Sequence, residues 1–180
     1  MRTGAPRPPA FRLTTPTMPA PDVPPDALQQ LLDERELRRL ADRLFVLTDA
    51  KAWDEARALF VDGELAVDMS SLAGGPVRVT AEQLFGGFAQ GLHAGKASHH
   101  MTTNVEVALD GDRAAVTAQG YAWNRVPGIA GGSDLWETWG TYHLPCVRTP
   151  AGWRLAGLTY AAKYSRGNEA VRTHAAGGGA

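Results

Sequence analysis

A single cysteine, Cys146, stands among 180 residues, which excludes an internal disulfide and any zinc site built from several thiolates. Its neighbours are those of a strand, where a lone thiol serves as a small hydrophobe. Charge of one sign is lacking too. The 18 basic residues face 19 acidic ones, and no run of Lys and Arg forms the stripe that nucleic acid or an anionic bilayer would need. Neither is therefore an expected partner. No apolar run reaches the roughly 20 residues that cross a bilayer. The opening stretch carries Arg2, Arg7 and Arg12 but no continuous apolar segment of a secretory signal, so a cytoplasmic location is expected. There is no glycine-rich phosphate loop and no His/Cys cluster with metal-ligand spacing. Neither a cofactor nor a metal is expected.

What the chain does have is a 44% share of hydrophobic residues, enough for one core with flanking tails. Residues 1–25 are rich in proline and predict a disordered arm, because that composition buries too little apolar area to offset the entropy of ordering. The folded domain is expected over residues 26–166, and a flexible Gly/Ala tail over 167–180. After Asp26, a plausible N-cap, Leu28, Leu31, Leu32, Leu37, Leu40, Leu44 and Leu47 recur at near-helical spacing. They predict one long amphipathic helix ending near Ala50. Trp53 to Phe60 predicts a second helix, and Thr80, followed closely by Glu82 and Gln83, caps a third through Leu92. Short extended pieces are expected at 65–71 and 77–79.

From Ser98 onward the hydrophobic period falls to two. Asp110-Gly111 marks a hairpin, and long strands are expected over 98–109, 113–126, 135–148 and 153–164. Pro145 implies an edge or a bulge. Helices first and hairpin-linked strands afterwards make an α+β pattern, with three N-terminal helices packed on a curved, mostly antiparallel sheet that can wrap a cavity.

The chemistry concentrates in Ser98-His99-His100-Met101-Thr102-Thr103-Asn104, because imidazole exchanges protons near neutral pH. Neighbours on a strand face opposite ways, so only one of the two histidines can look into a pocket. Simple alternation groups His99 with Met101, Val105 and Val107, whereas a bulge would select His100. Other candidates for a pocket wall are Tyr121, Trp123, Asn124, Trp136, Trp139, Tyr142 and His143, with Tyr142 best suited as a proton donor. Asp68 is a further carboxylate.

Three patches, 47–54 with Ala58-Leu59-Phe60, then 100–104 leading into Asp110-Gly111-Asp112, and finally 152–158, resemble the SnoaL-like family of the nuclear-transport-factor-2-like superfamily. That resemblance implies a cone-shaped α+β fold. In its dehydratase and dehydrochlorinase members, similar to scytalone dehydratase, an aspartate ending the first helix pairs with a histidine on the sheet. The matching positions are Asp49 and His100, and the interval from His100 to Asn104 also fits. The polar residues that some members add correspond here to Leu44 and Leu158, and the nearest aromatic to their helix tyrosine is Phe45.

The resemblance therefore implies a cofactor-independent dehydratase, isomerase or cyclase of a small hydrophobic molecule, such as a polyketide-, terpenoid- or steroid-like compound from natural-product biosynthesis. Asp49, His100, His99 and Tyr142 would carry the chemistry. Asn104, Tyr121, Trp123, Trp136, Trp139 and Phe45 would contact the substrate. A homodimer through the sheet is expected from Tyr121 and Trp123 on the outward face and from the superfamily's habit. The contrasting expectation is a non-catalytic module that binds a ligand or dimerises.

Overall fold

The computed structural model describes residues 26–176; the expected proline-rich arm lies outside them. The first helix, α1 (Ala27–Asp49), buries Leu37, Leu40, Ala41, Leu44, Phe45 and Thr48 along one face, the spacing of three and four that an amphipathic helix requires. Leu28, Leu31 and Leu32 were expected in that stripe but are exposed, because the first turns carry a different anchor. Asp33 is buried there and receives Arg148 Nη1 and Nη2 at 2.9 and 2.6 Å and Trp153 Nε1 at 3.1 Å. This fixes the helix against the sheet. At about 1.5 Å per residue, the rigid helix then carries Asp49 roughly 24 Å onward to the other end of the core.

The end of α1 has a definite stop. Ala52 N donates to Leu47 O and Lys51 N to Thr48 O, the paired closure in which the residue after the cap takes a left-handed conformation. Lys51, at φ 59°, fills the place that glycine usually takes. A short helix, α2 (Trp53–Arg57), follows, then β1 (Glu64–Asp68) and β2 (Val77–Thr80). The third helix, α3 (Ala81–Gly91), starts with the expected cap. Gln83 N donates to Thr80 Oγ1 at 3.2 Å, and Gln83 Oε1 accepts from Thr80 N at 2.9 Å.

The long strands are β3 (Ala97–Asp110), β4 (Arg113–Arg125) and β5 (Leu135–Thr149). The last expected strand is divided into β6 (Gly152–Leu155) and β7 (Gly157–Gly167). Pro145 is the reason. It falls where β5 changes partner, pairing with β7 up to His143 and with β6 from Cys146. Having no N–H of its own, it only accepts, through its carbonyl, from Ala156 N at 2.8 Å. The sheet order is β2-β1-β7-β5-β4-β3, with β1 parallel to β7 and β6 beside β5. It is an open, mixed sheet whose inner face meets α1, α2 and α3 over one core.

A second departure lies past Arg166, where a flexible tail was expected from residue 167. Asn168 caps a short helix, α4 (Glu169–Thr173), by accepting from Ala170 N at 3.0 Å. Val171 is buried with Val126 and Trp136. Burial of that one valine and the cap hold the segment against β4 and β5, an arrangement its Gly/Ala-rich surroundings do not announce. No described helix is long and apolar enough to cross a membrane.

Candidate active site

Between α1, α3, α4 and the inner sheet lies a cavity of about 390 Å³. Its wall is mainly apolar and includes Leu44, Phe45, Phe88, Leu92, Trp136 and Leu158. A few polar groups break it: His100, Asn124, Thr138, Tyr142, Tyr160, Lys96 and Arg172. That combination suits a small, largely hydrophobic ligand oriented by a few polar contacts. A larger groove, lined by Asp54, Arg57, Asp62, Glu82 and Arg154 together with apolar residues such as Phe60 and Val61, contains none of the candidate acid–base residues.

His100 lines the cavity, and Asp49 meets it from the end of α1. His100 Nδ1 lies 2.7 Å from Asp49 Oδ1, and the backbone N–H of His100 donates to Asp49 Oδ2, also at 2.7 Å. The Ser98 hydroxyl donates to Oδ1 at 3.0 Å and in turn accepts from Lys51 Nζ at 2.5 Å. Burial pushes the Asp49 pKa up, but the hydrogen bonds and charge from His100, together with Ser98, outweigh it and hold the carboxyl below its ordinary range. An ionised Asp49 accepts the Nδ1 proton. Nε2, on the opposite side of the ring, is left with its lone pair. Phe45 stacks on the imidazole at 5.7 Å between centroids and fixes its plane.

A bulge determines which histidine faces inward. Thr103 pairs with Gln119 and Glu106 with Thr117, so Asn104 and Val105 together oppose Ala118. Asn104 adopts φ 50°, a left-handed conformation that asparagine tolerates better than most residues. Alternation therefore shifts by one between the ends of β3. Ser98, His100 and Thr102 share the inner side with Val105 and Val107, while His99 and Met101 face out. The His99 side chain is 50% exposed against 14% for His100, and its Nδ1 is 3.7 Å from Asp49, too far for a hydrogen bond.

The same alternation sorts the aromatic candidates. Trp136 and Tyr142 line the cavity, as do Phe45 and Asn124. Tyr121, Trp123, Trp139 and His143, expected as wall residues, belong to the outer face. Tyr121 donates to Glu137 at 2.7 Å and packs with Trp139 in a tilted pair, Trp139 packs likewise with Tyr164, and Trp123 packs with His99. The expectation that Tyr121, Trp123 and Trp139 touch substrate is corrected by strand parity, since each is one residue out of phase with the inner set. Asn104 is likewise removed, because the bulge leaves it exposed. Asp68 lies outside the cavity and accepts from Ser70 N at 2.9 Å.

Tyr142 packs on Phe45 and Tyr160, both at 4.5 Å, and its hydroxyl bonds to no other described residue. Burial, then the neighbouring Tyr160 and Asp49, push its pKa well up, so it keeps its proton and can only donate or accept a hydrogen bond. Gly120 makes room for it. A Cβ at Gly120 would fall 2.2 Å from Tyr142 Cε2. Asn124 Oδ1 is buried without a partner among the described residues, an acceptor that a ligand hydroxyl would satisfy. Thr138 shares the parity of Trp136 and Tyr142 and was legible by alternation. Lys96 and Arg172 were not, since one sits in a loop and the other in the expected tail. Among the described residues no three His, Cys, Asp or Glu side chains gather as metal ligands.

An open, curved, mixed sheet with helices enclosing an apolar cavity defines the nuclear-transport-factor-2-like, or cystatin-like, α+β class. The chain belongs to the SnoaL-like domain family, whose sequence model matches residues 29–159. A Kribbella flavida protein, Kfla4162, is 28% identical, with a TM-score of 0.74 over 79% of this chain and 99% of that one. A Novosphingobium aromaticivorans DSM 12444 protein provisionally named a scytalone dehydratase is 15% identical, TM-score 0.61, over 84% and 97%. A hexachlorocyclohexane dehydrochlorinase of Novosphingobium barchaimii LL02 is 13% identical, TM-score 0.64, over 77% and 92%. At 15% and 13% identity the last two show a shared fold. No curated protein sequence matches the chain.

Proposed function

We propose that this protein is a cofactor-independent acid–base enzyme, a dehydratase, isomerase or cyclase of a small hydrophobic molecule with a polyketide-, terpenoid- or steroid-like body. The observation that carries the reading is the 2.7 Å approach of His100 Nδ1 to Asp49 at the wall of an apolar cavity. In this mechanism His100 Nε2 removes a proton from a substrate carbon next to a carbonyl or a leaving group. The C–H electron pair becomes the new double bond. In an elimination the leaving group departs with its own pair; in an isomerisation the carbonyl oxygen takes the charge and the proton returns to another carbon. Asp49 stabilises the imidazolium formed, and the Tyr142 hydroxyl donates to the oxygen on which charge develops. Asn124 Oδ1 receives a substrate hydroxyl. The dehydratase and dehydrochlorinase names among the structural neighbours support this class of reaction.

The test is a screen of hydroxy-ketones and related alicyclic or aromatic compounds for loss of water or double-bond migration, repeated with His100→Ala and Asp49→Asn. Turnover should fall by roughly 10²–10⁴-fold in both. Unchanged turnover of an identified substrate would remove the mechanism.

The outer sheet face carries Tyr121, Trp139 and Tyr164 in one row of packed rings, with Tyr164 and Met101 exposed. A second copy of the chain is the proposed partner for this face, since partly buried aromatics that end in an exposed tyrosine and methionine on a sheet favour a self-complementary contact.

A further inference from the structure

Lys96 is the one lysine among the described residues whose side chain is fully buried, at 1% exposure. It stands just before β3 and lines the cavity that holds His100. Its ammonium makes a single hydrogen bond to a described residue, to Arg172 O at 3.1 Å, although it has three donors. No carboxylate among the described residues pairs with it. The charged groups that face it, Lys51 from the end of α1 and Arg172 from α4, are both cations, and His93 and His174 stand in contact with each other nearby on the loop after α3 and the end of α4. The available acids are already engaged: Asp49 by His100 and Ser98, and Glu169 by Arg172. A buried charge without an opposite partner is costly, and here the open space beside it is the substrate cavity.

We propose, building on the acid–base reading above, that the cavity takes an organic anion. Its substrate has an apolar or aromatic body bearing a carboxylate or phenolate oxygen that Lys96 receives as the missing counter-charge. Lys96 is then a specificity-determining residue, and the substrate's anionic end points toward α4 and away from Asp49. Burial, with Lys51 and Arg172 adding to it, brings the Lys96 pKa down to about 8. The ammonium form is therefore dominant at neutral pH and lost above it, and a bound anion would raise that value again.

The experiment compares calorimetric binding of 2-naphthoate with that of 2-naphthamide, its neutral isostere, to the full chain, to Lys96→Met and to Lys96→Arg. The wild type should bind the anion about tenfold or more tightly than the amide, the scale of one hydrogen bond to a charged group. Lys96→Met should abolish that preference without weakening the amide, and Lys96→Arg should keep part of it. A structural role alone, holding α4 through Arg172 O, would weaken both probes together. In the wild type the preference should also decline as pH rises from about 7 to about 9.5 through the lysine's titration, a readout needing no variant. Equal affinity for the two probes, or a preference that survives Lys96→Met, overturns the inference. The two proposals fail separately. If Lys96→Met keeps the preference while His100→Ala abolishes turnover, the organic anion is wrong and the acid–base site stands. If the preference needs Lys96 while turnover ignores His100 and Asp49, the cavity binds organic anions without that chemistry.

Discussion

Replacing Asp49 by asparagine tests the site at nearly constant volume. In the native protein Oδ2 takes the His100 backbone N–H at 2.7 Å, while Oδ1 takes the His100 Nδ1–H at 2.7 Å and the Ser98 hydroxyl at 3.0 Å. A carboxylate accepts at both ends; an amide accepts at only one. The backbone N–H cannot become an acceptor, so the amide of the Asp49→Asn variant must turn its oxygen toward it. Its NH₂ then faces Nδ1, which can receive that bond only through its lone pair. The ring proton moves to Nε2, and the nitrogen left for substrate changes from a base into a donor.

A hydrogen bond to a charged group contributes about 1.5–3 kcal/mol, which corresponds to roughly ten- to a hundredfold in population. The Nδ1–H tautomer of His100 should therefore exceed about 90% of the neutral native protein by the same conversion, and Asp49→Asn should reverse it. Long-range proton–nitrogen correlation spectra of the ¹⁵N-histidine protein read the tautomer directly and need no substrate. Retention of the Nδ1–H form in Asp49→Asn would refute the argument, as would an Nε2–H form in the wild type.

Gly120→Ala places a methyl group 2.2 Å from Tyr142 Cε2, so denaturant unfolding should show a loss of about 1–3 kcal/mol; in a Tyr142→Ala background most of that penalty should vanish. Asp33→Asn should cost about 2 kcal/mol near neutral pH by leaving Arg148 and Trp153 without their carboxylate. The Arg148 hydrogen bonds outweigh burial and bring the Asp33 pKa down to about 2. A folded-state value below the unfolded one means that this stabilisation is complete above about pH 4 and lost as pH falls through about 2. Melting curves of the two proteins should therefore converge at low pH. Trp139→Glu on the outer sheet face should convert a dimeric mass in light scattering into a monomeric one, and a monomeric wild type would overturn the proposed self-association.

Local signals in the sequence determined the three N-terminal helices and the long strands, though not the division of the last strand or the helix α4. The spacing of Leu37, Leu40, Leu44 and Phe45, the Thr80–Gln83 cap and the alternation in β4 and β5 are local signals, because helices and strands repeat on fixed short periods. They placed Asp49 at a helix end and His100 on a strand, and they put Trp136 and Tyr142 on one face. Two choices depended on contacts distant in sequence. The bulge at Asn104 and Val105, which faces His100 inward, exists only through pairing with Thr117 to Gln119, and local alternation pointed instead to His99. Arg172 reaches the cavity because Val171 packs against Val126 and Trp136 and draws the C-terminal segment back over the sheet, where the Arg172 carbonyl accepts from Lys96 Nζ. A single apolar residue in a Gly/Ala-rich stretch has no period. Its burial, and the cation it brings to the cavity, were decided by the tertiary structure.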